Sequence, residues 1–243
     1  MSLAIADKTV MVTGANRGLG RALVDEAVRR GAKRVYAASR HLTVASDERV
    51  TPLMLDVTDL AQIREAVERV ESLDILINNA GVSVPDDLSD RSAFEHHLAV
   101  NMYGMLDVTR AFLPSLTRGR GAVVNVVSLG AVAAVPVLPA YSVSKAASLS
   151  LTQSLRALLA GRGVSVYAVL PGPIDTDMVR DLDVPKTPPA DVARGTLDGV
   201  ERGEEEIFPD PMSQSLADGW RAGVAKEFER QNAALVAAEP VAA

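Results

Sequence analysis

The chain has 243 residues, 48% of them hydrophobic and 23% charged, which gives enough apolar material for a buried core and excludes a disordered tail. The net charge of −6 and the lack of a Lys/Arg run argue against nucleic-acid binding, and no apolar run reaches the ~18–20 residues of a membrane helix. Without cysteine there are no disulfides or thiolate metal sites. We therefore expect a single cytoplasmic domain over residues 1–243, the last ~10 frayed, with no nucleic-acid, membrane or metal partner.

The elements alternate between strands and helices. A β-branched run at Lys8–Thr13 predicts the first strand, and apolar residues at helical spacing predict a helix over Gly18–Arg30, ended by Gly31. The same spacing rules predict, in order, strand Arg34–Ser39, strand Pro52–Leu55, helix Leu60–Val70, strand Asp74–Ile77, helices around Ala93–Val100 and Met105–Leu116, strand Ala122–Val127, helix Ala140–Ala160, strand Val164–Leu170 and a short strand near Glu206–Phe208. Apolar strands alternating with helices predict an α/β fold with a doubly wound parallel sheet.

A glycine-rich segment, TGANRGLG at residues 13–20, joins the first strand to the first helix. Gly14, Gly18 and Gly20 allow a tight turn and a close approach to a pyrophosphate, whose charge the helix N-terminus favours. Their spacing, G-x-x-x-G-x-G, differs from the general dinucleotide fingerprint G-x-G-x-x-G. The segment is a candidate dinucleotide-binding turn, and an ordinary strand-to-helix turn is the alternative.

Three residues form a candidate acid/base centre. Tyr141 and Lys145 lie four apart in YSVSK and share one face of a helix. Free tyrosine has a pKa of about 10, and a neighbouring ammonium is expected to lower that pKa towards neutrality. Ser128 follows a predicted strand, at the sheet edge where ligands bind, and its hydroxyl can hydrogen-bond a carbonyl oxygen. An exposed Tyr/Lys pair of no consequence is the alternative.

Together these residues resemble the short-chain dehydrogenase/reductase family in its single-domain form of ~250 residues. The resemblance runs from about Lys8 to Met178. It rests on motifs in the family's order: TGANRGLG at 13–20, LDV at 55–57, NNAG at 78–81, Asn101 in NMYG, Ser128, YSVSK at 141–145 and PGPIDT at 171–176. It implies a Rossmann fold and an oxidoreductase that moves hydride between NADP(H) and a carbonyl/secondary alcohol pair.

The resemblance also implies roles for single residues. The catalytic residues would be Asn101, Ser128, Tyr141 and Lys145, with Asn101 positioning a water in a proton relay with Lys145. The cofactor-binding residues would be Gly14, Asn16, Arg17, Gly18, Leu19, Gly20, Ser39, Arg40, Asp56, Val57, Asn79, Ala80, Gly81, Tyr141, Lys145, Pro171, Gly172, Ile174 and Thr176. Of these, Asp56 and Val57 would contact the adenine, Asn79–Gly81 would lie beside the ribose, and the last four would hold the nicotinamide carboxamide.

The end of the second strand indicates the form of the cofactor. An NAD-preferring enzyme places an acidic residue there to bind the ribose 2′-hydroxyl, whereas this chain has Ser39 and Arg40. Arginine can hold a phosphate through two hydrogen bonds, and Arg17 in the turn can reach the same phosphate. The sequence therefore predicts NADP(H). The alternative is that both arginines are solvated surface residues.

Apolar residues flank the candidate centre and predict an apolar ketone or aldehyde substrate, because such a pocket cannot orient a charged sugar without burying unpaired charge. They are Val82, Val84, Leu129, Ala131, Val132, Val135, Val137, Leu138, Met178 and Val179. Some of them could instead pack into the core. The segment between Thr176 and Pro189 is short for a substrate lid, which predicts an open pocket.

Further expectations concern the surface. Helix Ala140–Ala160 has leucines around much of its circumference, which, with the resemblance, predicts a homodimer or homotetramer. His41, His96 and His97 fit no metal spacing and are expected at the surface. Glu201–Glu206 is expected to be a solvated face. The C-terminal part departs from the family's glycine-rich close, since it has EEIFPDPMSQ and continues as a helix.

Two other functions fit the same motifs less well. A cofactor-binding regulator or scaffold that has lost turnover would be free to lose any of the four candidate catalytic residues, yet all are present. Epimerisation or dehydration on the same fold goes with longer chains and a G-x-x-G-x-x-G turn, which this chain lacks. The sequence leaves the substrate's identity and the physiological direction open.

Overall fold

A parallel sheet forms the centre of the protein. The computed structural model describes residues 3–42, 44–45, 47–181 and 183–237. Within them the strands are β1 (Thr9–Thr13), β2 (Arg34–Ser39), β3 (Val50–Met54), β4 (Ile75–Asn78), β5 (Ala122–Val126), β6 (Ser165–Val169) and β7 (Glu206–Ile207). They pair in parallel in the order β3-β2-β1-β4-β5-β6-β7. The order reverses between β1 and β4, which makes the carboxyl ends of these strands the switch point where ligands bind.

Helices cover both faces of the sheet. They are α1 (Gly18–Arg29), α2 (Leu60–Arg69), α3 (Arg91–Leu98), α4 (Met105–Gly119), α5 (Pro139–Ala160), α6 (Pro189–Arg202), α7 (Pro211–Arg221) and α8 (Val224–Ala237). Every residue of β1, β4 and β5 is buried, as strands covered on both sides must be. The predicted doubly wound α/β fold is thereby confirmed. None of the described helices is long and apolar enough to cross a membrane.

Two apolar cores hold these layers together, one on each face. On one face α1 and α6 pack on the sheet through residues such as Leu23 and Leu197, both fully buried. On the other face α2, α4 and α5 pack on it through residues such as Phe112 and Leu155. Burial of each such side chain contributes roughly 1.5–3 kcal/mol to folding. The sheet edge that follows the strands is therefore supported from both sides.

The predicted helices around Ala93–Val100 and Met105–Leu116 are parts of one continuous helical run. A π-helical turn, Ala99–Gly104, joins α3 to α4. Such turns insert an extra residue into a helix and are frequent at functional sites. The other predicted elements are present, with ends that differ by one or two residues.

Two surface predictions are wrong. His97 is fully buried: its Nδ1 donates to the Ala93 carbonyl at 2.7 Å and its Nε2 accepts from the N–H of Val84 at 3.0 Å. It thereby ties α3 to the segment that follows the NNAG motif. Glu206 is also buried, because β7 adds to the sheet edge and places this carboxylate 2.9 Å from the ammonium of Lys226. Neither burial could be inferred from spacing, since both depend on contacts with distant segments.

The C-terminal helix α8 is anchored by buried ion pairs. Lys226 contacts Glu206 and Glu229, and Arg156 of α5 contacts the same two carboxylates. Of the ~10 residues predicted to fray, 234–237 belong to α8, and 238–243 lie outside the described residues. The predicted single C-terminal helix is in fact two, α7 and α8, separated near Gly223.

Candidate active site

The predicted site residues meet at one edge of the sheet. Gly14 follows β1, Ser39 ends β2, Asn79 follows β4, and Ser128 lies two residues beyond β5. Parallel strands all end on the same side, so residues far apart in sequence come together there. Pro171 follows β6 at the same edge. This edge is the candidate active site.

The turn between β1 and α1 has the bare backbone that a pyrophosphate requires. Gly14 and Gly18 have φ of +67° and +54°, the left-handed region that favours glycine. A Cβ on Gly20 would lie 2.1 Å from the carbonyl oxygen of Gly14, so no larger residue fits. Arg17, the N-cap of α1, makes no side-chain hydrogen bond to the helix N–H groups, which leaves them for an anion. The residues present therefore fit a dinucleotide.

The NNAG segment, residues 78–81, is hydrogen-bonded to this turn. The Asn79 side chain donates to the carbonyls of Thr13 and Gly14 at 2.9 and 3.3 Å. The Thr13 hydroxyl accepts from the N–H groups of Asn79 and Ala80, both at 3.0 Å. A Cβ on Gly14 would lie 2.9 Å from the Cα of Ala80. Thr13 was not among the predicted site residues, although its position directly before the first glycine was the available signal.

Other predicted cofactor residues differ in what they offer. Leu19 and Val57 are buried and pack in the two cores, so they offer backbone rather than side chain to a ligand. Asn16 is half-buried beside the turn. The Asp56 carboxylate accepts from the N–H and hydroxyl of Thr58, which orders the end of β3. The predicted adenine side is thus held by local contacts.

The two arginines predicted to bind a phosphate are exposed. Arg40 makes no hydrogen bond or ion pair with any residue that the structure describes, and Ser39 donates its hydroxyl to the His41 carbonyl at 2.6 Å. Arg17 is paired with Asp177 at 3.0 Å, with 72% and 50% of the two side chains exposed. An exposed pair of this kind contributes about 0–1 kcal/mol, so Arg17 can exchange Asp177 for a phosphate at little cost.

Helix α5 and the end of β5 bring the three candidate acid/base residues together. The side chain of Ser128 lies beside that of Tyr141, close enough to lower the pKa of the Tyr141 hydroxyl. Lys145 lies one helical turn below: its Nζ is 5.7 Å from the centre of the Tyr141 ring and donates to the Val126 carbonyl at 2.9 Å. The predicted grouping of these side chains therefore exists in the fold.

Burial sets the protonation of this group. It raises the pKa of Tyr141 above its usual value, and the neighbouring Ser128 side chain opposes this only in part. It also lowers the pKa of Lys145 to about 8. The expectation that Lys145 lowers the pKa of Tyr141 towards neutrality is wrong for this structure, because desolvation of the phenolate is the largest effect and raises that pKa. At neutral pH Tyr141 therefore holds its proton and Lys145 is mostly charged.

Asn101 lies in the π-helical turn beside this group. Its side-chain oxygen accepts from the N–H of Val82 at 2.8 Å. Its side-chain nitrogen donates to the Val82 carbonyl at 3.0 Å and to the Ser144 hydroxyl at 2.9 Å. A Cβ on Gly81 would lie 3.2 Å from the Asn101 side-chain oxygen and 3.6 Å from the Lys145 ammonium. Asn101 and Lys145 thus border the same small space, which only a glycine leaves open.

A stripe of small hydroxyl residues on α5 supports the site and was missed in the sequence. Ser144, Ser148 and Thr152 recur every four residues and are fully buried. The Ser148 hydroxyl donates to the main-chain carbonyl of Asn101 at 2.9 Å, and Thr152 accepts from the Asn125 side chain at 3.0 Å. The signal was the four-residue spacing of these three hydroxyl residues, which places them on one face of the helix.

The PGPIDT segment closes the site. Ile174 pairs with Thr187, which returns the chain to the sheet edge. Thr176 lies over the turn between β1 and α1: a Cβ on Gly18 would be 3.1 Å from its methyl group. Pro171 is buried, and Gly172 packs against the start of α7. Of the predicted site residues of this segment, Thr176 thus faces the turn after β1, and Pro171 and Gly172 lie beside the end of β5 and the start of α7.

Comparisons with known proteins agree with this geometry. The family model described as short chain dehydrogenase matches residues 8–186. Estradiol 17-beta-dehydrogenase 2 of Rattus norvegicus is 32% identical over 235 residues, 90% of this chain and 57% of the relative, so the chain spans little more than half of that protein. An uncharacterized oxidoreductase of Staphylococcus saprophyticus is 32% identical over 82% of this chain and 93% of its own length.

A solved structure is more similar still. The short chain dehydrogenase of Burkholderia cenocepacia, in complex with NADP, has a TM-score of 0.85 and 37% identity, over 94% of this chain and 98% of that one. The ligand-free aldohexose dehydrogenase of Thermoplasma acidophilum, at 24% identity and a TM-score of 0.76 over 86% of this chain and 94% of its own, shares the fold. The chain belongs to the short-chain dehydrogenase/reductase family, whose members are oxidoreductases that use NAD(P)(H).

Proposed function

We propose that this protein transfers hydride between NADP(H) and a carbonyl/secondary alcohol pair, reducing an apolar ketone or aldehyde with Tyr141 as general acid/base. The observation that carries the proposal is the grouping of three side chains: Ser128 lies beside Tyr141 and lowers the pKa of its hydroxyl, and the Lys145 ammonium is 5.7 Å from the Tyr141 ring centre. Two hydroxyls grouped in this way can bind the same carbonyl oxygen. They stand at the sheet edge that also carries the glycine turn.

Each side chain has its own part in the reduction. Bound NADPH supplies the hydride that adds to the carbonyl carbon. Ser128 donates a hydrogen bond to the carbonyl oxygen, which stabilises the charge that develops there. Tyr141, whose raised pKa keeps it protonated, gives that oxygen its proton. The Lys145 ammonium stabilises the tyrosinate that remains, and Asn101 borders the space through which a water would restore the proton.

The cofactor would lie across the switch point. Its pyrophosphate would contact the backbone at Gly14–Gly20, and its 2′-phosphate would contact Arg40 and Arg17. Support for NADP(H) comes from the basic end of β2 and from the NADP in the Burkholderia cenocepacia structure. Lys145 would hold the nicotinamide ribose, and the turn at Pro171–Gly172 would face the nicotinamide.

The substrate would be apolar. Of the flanking apolar residues, Leu129 and Ala131 are partly buried against one apolar cluster and Val82 against another, so they offer less surface to a substrate. Five others are 37–64% exposed, which leaves apolar surface near the hydroxyls: Val84, Val132, Val135, Val137 and Met178. The relative in Rattus norvegicus is named for estradiol, an apolar alcohol, which agrees with this choice.

The test is an assay with a panel of carbonyl compounds and either NADPH or NADH, in which turnover is measured as the loss of reduced-cofactor absorbance. We expect kcat/KM for apolar ketones or aldehydes to exceed that for sugars and phosphorylated carbonyls by about 10-fold or more. A preference for polyhydroxy or phosphorylated substrates would contradict the proposed pocket. Tight NADPH binding without turnover of any compound would favour the catalytically silent alternative.

We also propose that the protein forms a homodimer or homotetramer. The leucines of α5 give this proposal little support, because Leu149, Leu155 and Leu159 are buried within the chain and, of the five, Leu158 alone is more than half exposed, at 57%. Support comes instead from α8, where exposed apolar residues fall on one helical face: Val224 at 86%, Phe228 at 61% and Leu235 at 69% exposure. A mass of 25.7 kDa by light scattering at micromolar concentration would contradict it.

A further inference from the structure

Asp210 has a buried carboxylate that the proposed reaction does not use. It is 2% exposed and caps the N-terminus of α7. Its Oδ1 accepts from the N–H of Ser213 at 3.0 Å. Its Oδ2 accepts from the Ser213 hydroxyl at 2.9 Å and from the N–H of Gly172 at 2.8 Å. The carboxylate therefore joins the start of α7 to the turn that follows β6.

Capping alone does not explain this carboxylate. Serine, asparagine and aspartate cap helices about equally well, and each needs one oxygen to do so. In Asp210 that task falls to Oδ1. A buried negative charge is unfavourable unless several donors surround it, and the N–H of Gly172 is the donor that comes from outside the helix. The contact of Oδ2 with Gly172, in the turn after β6, therefore accounts for the second carboxylate oxygen.

The peptide group between Pro171 and Gly172 is held at both ends. Gly172 has a proline on either side, so its N–H is the only backbone donor of that tripeptide. The carbonyl of Pro171 accepts from the N–H of Leu129, the residue after Ser128, at 3.0 Å. A Cβ on Gly172 would lie 3.0 Å from Oδ1 of Asp210, so the turn sits directly against the carboxylate. Asp210 therefore fixes this peptide relative to the strand end that carries Ser128.

We propose that Asp210 is a positioning residue, which holds the Pro171–Gly172 peptide at a fixed place beside Ser128 and so orients the surface that meets the nicotinamide. The inference rests on the proposed function, because only a bound nicotinamide gives this surface a role. The proposal predicts different effects on the binding of the two halves of the cofactor. The adenosine half would bind across the switch point, at the turn after β1 and the end of β2, which Asp210 does not contact.

The test measures the affinity of Asp210→Ser for two ligands by calorimetry: NADPH, and 2′-phospho-ADP-ribose, which lacks the nicotinamide. Serine can still cap α7 but is too short to reach Gly172 as well. Loss of a hydrogen bond to a charged group should weaken NADPH binding about 10-fold or more, and change binding of the fragment less than about 2-fold. Asp59→Ser, which removes the carboxylate cap of α2, is the matched control and should change neither affinity.

Hydrogen exchange at the Gly172 amide, measured without ligand, reports the contact itself. It should accelerate about 10-fold or more in Asp210→Ser. Asp210→Asn, the variant for the case that serine prevents folding, has a single side-chain acceptor oxygen. In this variant the loss of NADPH affinity should therefore follow the loss of hydrogen-exchange protection at the Gly172 amide.

The outcomes separate the two proposals. Equal losses for both ligands, or full NADPH affinity after Gly172 has lost its protection, would overturn the role of Asp210. Failure of the wild type to bind either ligand would instead overturn the proposed function.

Discussion

Arg40 offers the sharpest test of cofactor choice. Its side chain is exposed and unpaired among the described residues, so a 2′-phosphate would gain its full contribution, about 1.5–3 kcal/mol for a charged hydrogen bond. Arg17 would add less, because it must first leave Asp177, an exposed pair that contributes about 0–1 kcal/mol. NADPH should therefore bind at least ~10-fold more tightly than NADH.

Arg40→Asp should remove most of this preference. The new carboxylate would repel a phosphate that carries about −1.5 to −2 charges and would accept from the ribose 2′-hydroxyl of NADH. We expect the ratio of the two dissociation constants to fall to about 1 or below, with little change in the rate of the chemical step. Arg34→Asp, at the other end of β2, makes the same change in net charge and should keep the wild-type ratio. Equal or tighter binding of NADH by the wild type would refute the reasoning.

Three further predictions concern stability. Burial lowers the pKa of Lys145 from 10.5 to about 8, so its buried charge destabilises the native state fully below pH 8, and this destabilisation disappears as the pH rises from 8 to 10.5. In urea titrations Lys145→Met should therefore be more stable than the wild type by ~3 kcal/mol at pH 7, a difference that shrinks to none above pH 10.5. Arg30→Ala, which breaks the pairs of α1 with α6, should lower the free energy of unfolding by about 3 kcal/mol, against less than ~1 kcal/mol for the exposed Arg29→Ala. Gly20→Ala should lower the free energy of unfolding by about 1–3 kcal/mol and weaken NADPH binding, whereas Gly161→Ala, with nothing near its Cβ, should do neither. Equal effects of the two arginine variants, or of the two glycine variants, would contradict these assignments.

The order of elements and the grouping of the acid/base residues were predictable because both depend on local spacing. Tyr141 and Lys145 share a helix, and the position of Ser128 follows from the rule that parallel strands end at one edge. The glycines of the turn were recognisable for the same reason. Each is required by a backbone contact within a few residues or by its own φ.

Features that depend on contacts between distant segments were not predictable. The burial of His97 requires the N–H of Val84, and the burial of Glu206 requires Lys226 from a helix that no motif places. The pKa direction of Tyr141 was wrong because the sequence shows a neighbouring charge but not the depth of burial. Asp210 went unnoticed because its partner, Gly172, lies 38 residues away.

Tyr141 carries the central claim, that its hydroxyl transfers the proton when a carbonyl is reduced. Single-turnover oxidation of NADPH by Tyr141→Phe, with an apolar ketone in excess, measures that step directly, and calorimetry on the same variant measures cofactor binding. We expect the rate to fall at least ~10²-fold, because the variant lacks the phenol that gives the proton, while NADPH affinity stays within about 2-fold of the wild type. Near-normal turnover by Tyr141→Phe would contradict the account.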